Sequence, residues 1–146
     1  IGVIGAGSCD DRIYHIAEEM GRKIAESGAI LICGGLGGVM EAAAKGAKGT
    51  GGLTIGILPG FDKADANSYI DIPIVTGLSH ARNVLIVRSS DIVIAIAGGY
   101  GTLSEIALSL KVGKTVIGIE TWEGVDDIIR VKSPDEAMKR IKEFTG

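Results

Sequence analysis

The sequence has few residues of the kinds that hold metals, disulfides or nucleic acids. Of 146 residues, 2 are cysteine, 2 are histidine and 4% are aromatic. Cys9 and Cys33 form no C-x-x-C pair, so we expect no metal site and no disulfide, and we expect both thiols to pack as small apolar groups at strand ends. The net charge is −3, so the sequence lacks the excess of Lys and Arg that neutralises the phosphates of nucleic acids. We therefore predict no nucleic-acid partner.

Long apolar runs are also missing. IVIAIA at residues 92–97 is among the longest, far short of the 18 or more residues that cross a membrane. No signal peptide is recognisable, so we expect a cytoplasmic protein without a membrane partner. The chain begins at Ile1 rather than Met, and we expect that residues precede it. Its length and its apolar fraction of 46% suit one domain over residues 1–146.

Short β-branched segments alternate with helical patterns along the chain. Strands are predicted at residues 1–5, 29–33, 53–58, 72–75, 91–97, 115–120 and 128–131. Helices are predicted at residues 11–26, 38–48, 79–89, 102–112 and 134–144. The strands lack apolar–polar alternation, which is typical of a parallel sheet covered on both faces. The pattern predicts one Rossmann-like, doubly wound α/β domain of six or seven strands in the order 3-2-1-4-5-6-7.

One connection, residues 59–71, is long, polar and aperiodic. Loops of this length within a compact domain are commonly functional. If the third strand is an edge and the fourth lies beyond the first, this segment must cross the top of the sheet. We then expect it to cover a site there.

Glycine is the residue in large excess, at 23 of 146 residues against a usual share of roughly 7%. Three clusters, at residues 5–7, 34–38 and 98–101, each follow a predicted strand and precede a helix. In a parallel sheet these junctions share one edge, where helix N-termini offer unpaired N–H groups to an anion. Tight turns that merely need glycine are the alternative, but three clusters at one edge favour a ligand that carries phosphate.

Two familiar phosphate motifs do not fit. Asp10 stands where G-x-G-x-x-G needs its third glycine, and no carboxylate for a ribose diol follows the strand that ends at Cys33. Gly113-Lys114-Thr115 lacks the glycine five residues earlier and leads from a helix into a strand, the reverse of a P-loop. We predict neither a dinucleotide site nor a Walker A site.

Charged residues stand near two predicted helix starts. Thr102 and Glu105 fit a capping box, T-x-x-E, which by itself needs no ligand. Arg82 follows Ser79, a candidate N-cap, and a cation in a first helical turn opposes the helix dipole. That cation becomes favourable where it faces a phosphate or Glu105, and a solvated arginine is the alternative. For His80 two interpretations stay open: it forms a hydrogen bond to the ligand, or it lies near the start of the helix without contacting a ligand.

Five motifs carry a family resemblance. They are Gly7-Ser8 with Tyr14, GGLGGVMEAAAKGA at 34–47, GILPG at 56–60, SHARN at 79–83 and AGGYGTLSE at 97–105. In this order the chain resembles the LONELY GUY-type family, whose members are often mislabelled lysine decarboxylases. That family belongs to a wider Rossmann-like superfamily with molybdenum cofactor carrier proteins.

The resemblance implies hydrolysis of the N-glycosidic bond of nucleoside 5′-monophosphates, with Arg82 and Glu105 as the catalytic residues. A carboxylate stabilises the oxocarbenium-like state of that cleavage. No cofactor is expected beyond a bound nucleotide monophosphate or phosphate. The residues expected to bind the ligand and its phosphate are Gly7, Ser8, Gly34, Gly35, Gly37, Gly38, Met40, His80, Gly98, Gly99, Tyr100, Gly101 and Thr102.

The sequence departs from the family motifs where Ala97 replaces a proline, Asn83 a lysine and Ser104 an acidic residue. These versions resemble an uncharacterised bacterial and archaeal subgroup nearer the cofactor carriers. Two hypotheses stay open: a phosphoribohydrolase, and a non-catalytic carrier of a phosphorylated pterin-type ligand such as molybdenum cofactor.

The predicted helices at residues 79–89 and 102–112 are apolar on more than one face. Their apolar residues are Val84, Leu85, Ile86 and Val87 in the first and Ile106, Ala107, Leu108 and Leu110 in the second. A helix that is apolar all round must be buried. We expect a homodimer or a larger homo-oligomer, which the resemblance also implies, and burial inside the fold is the alternative.

Overall fold

Seven parallel strands form one sheet between two layers of helices. The computed structural model describes residues 1–145 and orders the strands β4-β3-β2-β1-β5-β6-β7. The elements are β1 (Gly2–Gly5), α1 (Asp11–Glu26), β2 (Leu31–Cys33), α2 (Val39–Gly49), β3 (Thr54–Leu58), β4 (Ile72–Val75), α3 (Asn83–Ser89), β5 (Ile92–Ile96), α4 (Tyr100–Lys111), β6 (Thr115–Ile119), β7 (Ile129–Val131) and α5 (Pro134–Thr145). Two 3₁₀ turns, Lys63–Asp65 and Ser79–Arg82, precede β4 and α3. The predicted Rossmann-like α/β class is confirmed.

The core consists of two apolar clusters, one on each face of the sheet, because successive strand residues point to opposite faces. Ile94 of β5 belongs to the cluster that includes the buried residues of α1, α2 and α5. Val93 belongs to the other cluster, with Ile86 of α3 and Ile106 of α4. The strands are therefore covered on both sides, as their unbroken apolar sequences predict.

The place of the fourth strand differs from the prediction. β4 pairs with β3 at the sheet edge, with Ile72 opposite Ile55, and it is β5 that pairs with β1. Residues 59–71 therefore do not cross the top of the sheet. They run along one face, where Tyr69 and Ile70 pack on the α1–α2 cluster. This segment replaces the usual crossover helix and does not cover the site.

The two cysteines lie close to the carboxyl ends of β1 and β2. Cys33 is buried at the end of β2, Cys9 is half-buried in the turn after β1, and both are free thiols.

Among residues 1–145 no helix is long and apolar enough to span a membrane. Within the same residues no three His, Cys, Asp or Glu side chains are grouped as metal ligands would be.

Candidate functional site

A cavity of about 300 Å³ lies where the turn after β1, the start of α3 and the start of α4 meet. Eight of the residues predicted to form the site line it: Gly7, Met40, His80, Arg82, Gly99, Gly101, Thr102 and Glu105. The remaining lining residues are Gly5, Ala6 and Asn83. The sheet edge thus brings the predicted catalytic pair and two of the three glycine turns into one place.

The second glycine turn, residues 34–38, packs against residues that line this cavity. Gly38 has a φ of 62°, and a Cβ there would lie 2.3 Å from the Ala6 carbonyl oxygen. A Cβ on Gly34 would lie 2.7 Å from Nη2 of Arg82. Of this segment only Met40 lines the cavity. The four glycines predicted to contact ligand, Gly34, Gly35, Gly37 and Gly38, lie outside the lining of this cavity and permit close packing of the turns.

Three other predicted ligand residues also lie outside the cavity lining. Ser8 is exposed at the turn after β1. Gly98 has a φ of 110°, and a Cβ there would lie 2.3 Å from the Thr102 hydroxyl oxygen. Tyr100 is 84% exposed, and its ring lies beside that of Trp122, with centroids 5.8 Å apart.

Arg82 is buried rather than solvated, with 8% of its surface exposed. Its Nε donates to the Ile57 carbonyl oxygen at 2.8 Å, and Nη1 donates to Oδ1 of Asn83. Burial lowers the pKa of Arg82, and the nearby Glu105 opposes this shift. A guanidinium fixed in this way presents its remaining N–H groups without a further entropic cost.

Glu105 is the other buried charged group of the cavity. It is 8% exposed, and its Oε2 is buried without a hydrogen-bond partner. Burial raises its pKa to about 7, although Arg82 acts in the opposite direction. At neutral pH the carboxyl group therefore exists in both protonation states, and it is able to donate or to accept a hydrogen bond. A buried polar atom without a partner is a feature of sites that await a ligand.

The two predicted helix caps are wrong. α4 begins at Tyr100, with Gly99 at the N-cap position and no side-chain cap, so Thr102 and Glu105 both lie inside the helix. Ser79 likewise makes no cap and has a φ of 53° within a 3₁₀ turn, so the predicted helix over residues 79–89 is a 3₁₀ turn followed by α3. The early start of α4 leaves the Glu105 side chain free of any backbone partner.

Asn83 lines the cavity, although the sequence singled it out only as a departure from the family motif. Its Oδ1 accepts from Arg82, and its Nδ2 donates to the Ser104 hydroxyl at 3.2 Å. The signal was its place directly after Arg82, where a side-chain carbonyl oxygen meets an unsatisfied guanidinium N–H.

Comparison with known proteins decides the family. The model of the SLOG cluster4 family matches residues 1–144. The chain belongs to the SLOG cluster4 family. An uncharacterized protein of Archaeoglobus fulgidus is 53% identical to this SLOG protein over 94% of the chain and 91% of that relative.

Solved structures and curated relatives connect this SLOG protein with two kinds of protein. The molybdenum cofactor binding protein of Rippkaea orientalis has a TM-score of 0.94 and 39% identity, covering 99% of this chain and 96% of that one. The molybdenum cofactor carrier protein of Chlamydomonas reinhardtii has a TM-score of 0.89 and 36% identity, covering 99% and 96%. A probable cytokinin riboside 5′-monophosphate phosphoribohydrolase of Oryza sativa is 31% identical over 78% of this chain, which spans only 50% of that relative.

Proposed function

We propose that this protein binds a small phosphorylated ligand in the cavity and acts as a carrier of a phosphorylated pterin such as molybdenum cofactor. The observation that carries the proposal is the convergence of a buried arginine, a helix N-terminus and two glycine turns on one cavity of about 300 Å³. The similarity to carrier structures covers nearly the whole of both chains, which supports a carrier over an enzyme.

The phosphate is expected at the N-terminus of α4. The first N–H groups of a helix have no partner within it, and they carry partial positive charge. In α4 these groups include the amides of Gly101 and Thr102, which line the cavity together with Arg82. Amides and guanidinium together supply both the donors and the charge that a phosphate dianion needs.

Glu105 is also able to bind a ligand in its neutral form. Burial raises its pKa to about 7, so both protonation states of the carboxyl group are present at neutral pH. A phosphate dianion bound nearby raises that pKa further, because like charges disfavour ionisation. The neutral carboxyl group then donates a hydrogen bond from the cavity wall to an oxygen or nitrogen of the ligand.

Hydrolysis of nucleoside 5′-monophosphates is the second candidate. It is supported by the presence of Arg82 and Glu105 in one cavity and by the named activity of the rice relative. The two candidates differ in one measurable property, since a hydrolase releases free base and a carrier does not.

The test uses purified protein, first by native mass spectrometry for a bound ligand and then by calorimetry with AMP and GMP. Gly101 lines the cavity, and Gly101→Ala adds a methyl group that meets no protein atom within 4 Å, so we expect it to obstruct a ligand without disturbing the fold. Gly49→Ala, in an equally open position at the end of α2, is the matched control.

We expect Gly101→Ala to weaken binding at least tenfold and Gly49→Ala to leave it unchanged. Absence of binding by either nucleotide and of any co-purified ligand contradicts the proposal. Release of base that is lost in Glu105→Gln assigns the protein to the hydrolases instead.

A further inference from the structure

A second cavity, of about 280 Å³, lies across the turn that follows β5. It is lined by Ala97, Gly98, Glu120, Thr121 and Trp122. These residues follow β5 and β6, which pair in parallel with Ile96 opposite Ile119. The second cavity therefore shares the sheet edge of the first, and the proposed phosphate site does not use it.

An aromatic pair adjoins the second cavity. The rings of Tyr100 and Trp122 lie 5.8 Å apart at an angle of 31°, and Tyr100 is 84% exposed. Trp122 Nε1 donates to the Gly99 carbonyl oxygen at 2.9 Å, and Gly99 also lines the first cavity. Because this bond orients the indole relative to the first cavity, a ligand that crosses Gly99 meets an aromatic surface. Such surfaces bind the faces of flat heteroaromatic rings.

Glu120 places a carboxylate in the same cavity. The hydrogen bond from Arg12, at 2.7 Å, lowers the pKa of Glu120, so the group is ionised and accepts hydrogen bonds only. The side chains of the pair are 62% and 46% exposed, and exposed ion pairs of this kind are weak. A ligand is therefore able to replace Arg12 as a partner of Glu120.

We propose that the second cavity is a subsite for a heteroaromatic ring bearing an amino group beside a ring N–H, as guanine and pterins do. The ring stacks on Trp122 and Tyr100, and its two adjacent donors meet the Glu120 carboxylate. Adenine presents a ring-nitrogen acceptor at the corresponding edge, which faces the carboxylate unfavourably. This inference rests on the proposed function, because it assigns the ring of the ligand whose phosphate lies in the first cavity.

Trp122 is the only tryptophan of the chain and reports directly on this subsite. Three probes separate the parts of the ligand: GMP, AMP and ribose 5-phosphate, which has no ring. We expect GMP to quench Trp122 fluorescence and to bind at least tenfold more tightly than AMP. Ribose 5-phosphate is expected to bind in calorimetry without quenching.

Two variants, each with a matched control, test the contacts. Glu120→Gln is expected to reduce the preference for GMP over AMP to less than threefold, whereas Glu123→Gln, an exposed neighbour, leaves it unchanged. Tyr100→Leu is expected to weaken GMP about fivefold without affecting ribose 5-phosphate, and Tyr100→Phe restores GMP binding because it keeps the ring. Both substituted residues are exposed, so folding is retained.

The outcomes distinguish this inference from the proposed function. Equal affinity for GMP and ribose 5-phosphate, or fluorescence that saturating GMP leaves unchanged, overturns the ring subsite and leaves the phosphate site standing. Equal affinity for GMP and AMP in the original protein, or a tenfold preference for GMP that persists in Glu120→Gln, overturns the role of Glu120. If none of the three probes binds, the proposed function fails and the subsite fails with it.

Discussion

Asn83 donates a hydrogen bond from Nδ2 to the Ser104 hydroxyl at 3.2 Å, so two positions that depart from the LONELY GUY-type motifs are in direct contact. The same Asn83 accepts a hydrogen bond from Arg82, and the Ser104 hydroxyl donates to the Gly101 carbonyl oxygen at 2.6 Å. A short chain of hydrogen bonds thus connects the buried guanidinium with the first turn of α4. The two substitutions form one structural unit.

The first prediction follows from this connection. Asn83→Ala removes the acceptor for Nη1 of Arg82 and leaves a buried charged donor without a partner, which costs roughly 1–3 kcal/mol. We expect the affinity for GMP to fall about tenfold. Ser104→Ala keeps the bond between Asn83 and Arg82, so we expect less than a threefold loss. Calorimetry on both variants makes the comparison, and equal losses would show that Asn83 does not position Arg82.

The second prediction concerns pH and Glu105. Its folded-state pKa of about 7 lies above the ordinary value of 4.5, so the folded state retains the proton that the unfolded state loses. Stability from this group is therefore complete below about pH 4.5 and is lost as pH rises towards 7, by up to about 3 kcal/mol. Urea unfolding between pH 4.5 and 8 measures the loss.

Glu105→Gln removes the titrating group and should flatten that pH profile. We expect the variant to exceed the original protein in stability at pH 8 and not at pH 4.5. Glu123→Gln, at an exposed position, should keep the original profile. A profile that is unchanged in Glu105→Gln would contradict the raised pKa.

The sequence predicted which residues meet at the site, because residues that follow parallel strands lie at the same edge of the sheet. Arg82 and Glu105 both follow strands whose carboxyl ends share one edge, so their convergence could be expected without knowing any loop. The burial of Arg82 could not, because the Ile57 carbonyl that accepts from its Nε belongs to β3, which is distant in sequence. Capping by Thr102 was wrong because the glycines before it allow α4 to begin two residues earlier.

The position of β4 in the strand order could not be predicted from the sequence, for a different reason. Strand order depends on where a long connection leads, and residues 59–71 carry no periodic pattern that gives a direction. One signal was present, since Pro73 within a strand lacks an N–H and is tolerated mainly at a sheet edge. The observed pairing of β4 with β3 alone agrees with that rule.

The third prediction concerns the backbone at the end of β5. Ala97, where the related motif has proline, has a φ of 49°, a left-handed conformation that disfavours residues with a Cβ. Ala97→Gly should therefore stabilise the protein by up to about 1 kcal/mol, reduced by the greater freedom of glycine in the unfolded chain. Thermal unfolding measures the change, with Ala64→Gly in the exposed 3₁₀ turn as a control that should not stabilise. A destabilised Ala97→Gly would contradict the strain.

The fourth prediction concerns assembly. α3 buries Ile86 and Val87 against the sheet, yet Val84 and Leu85 on its other side are 42% and 38% exposed. Burial inside the fold therefore accounts for only half of the apolar residues that this helix presents, and we expect a second copy of the chain to cover the others.

Light scattering should give a mass of at least twice the 15.0 kDa of one chain. Leu85→Glu should reduce that mass to one chain, whereas Leu53→Glu, at a residue 39% exposed on another part of the surface, should not. A single-chain mass for the unsubstituted protein would contradict the expected assembly.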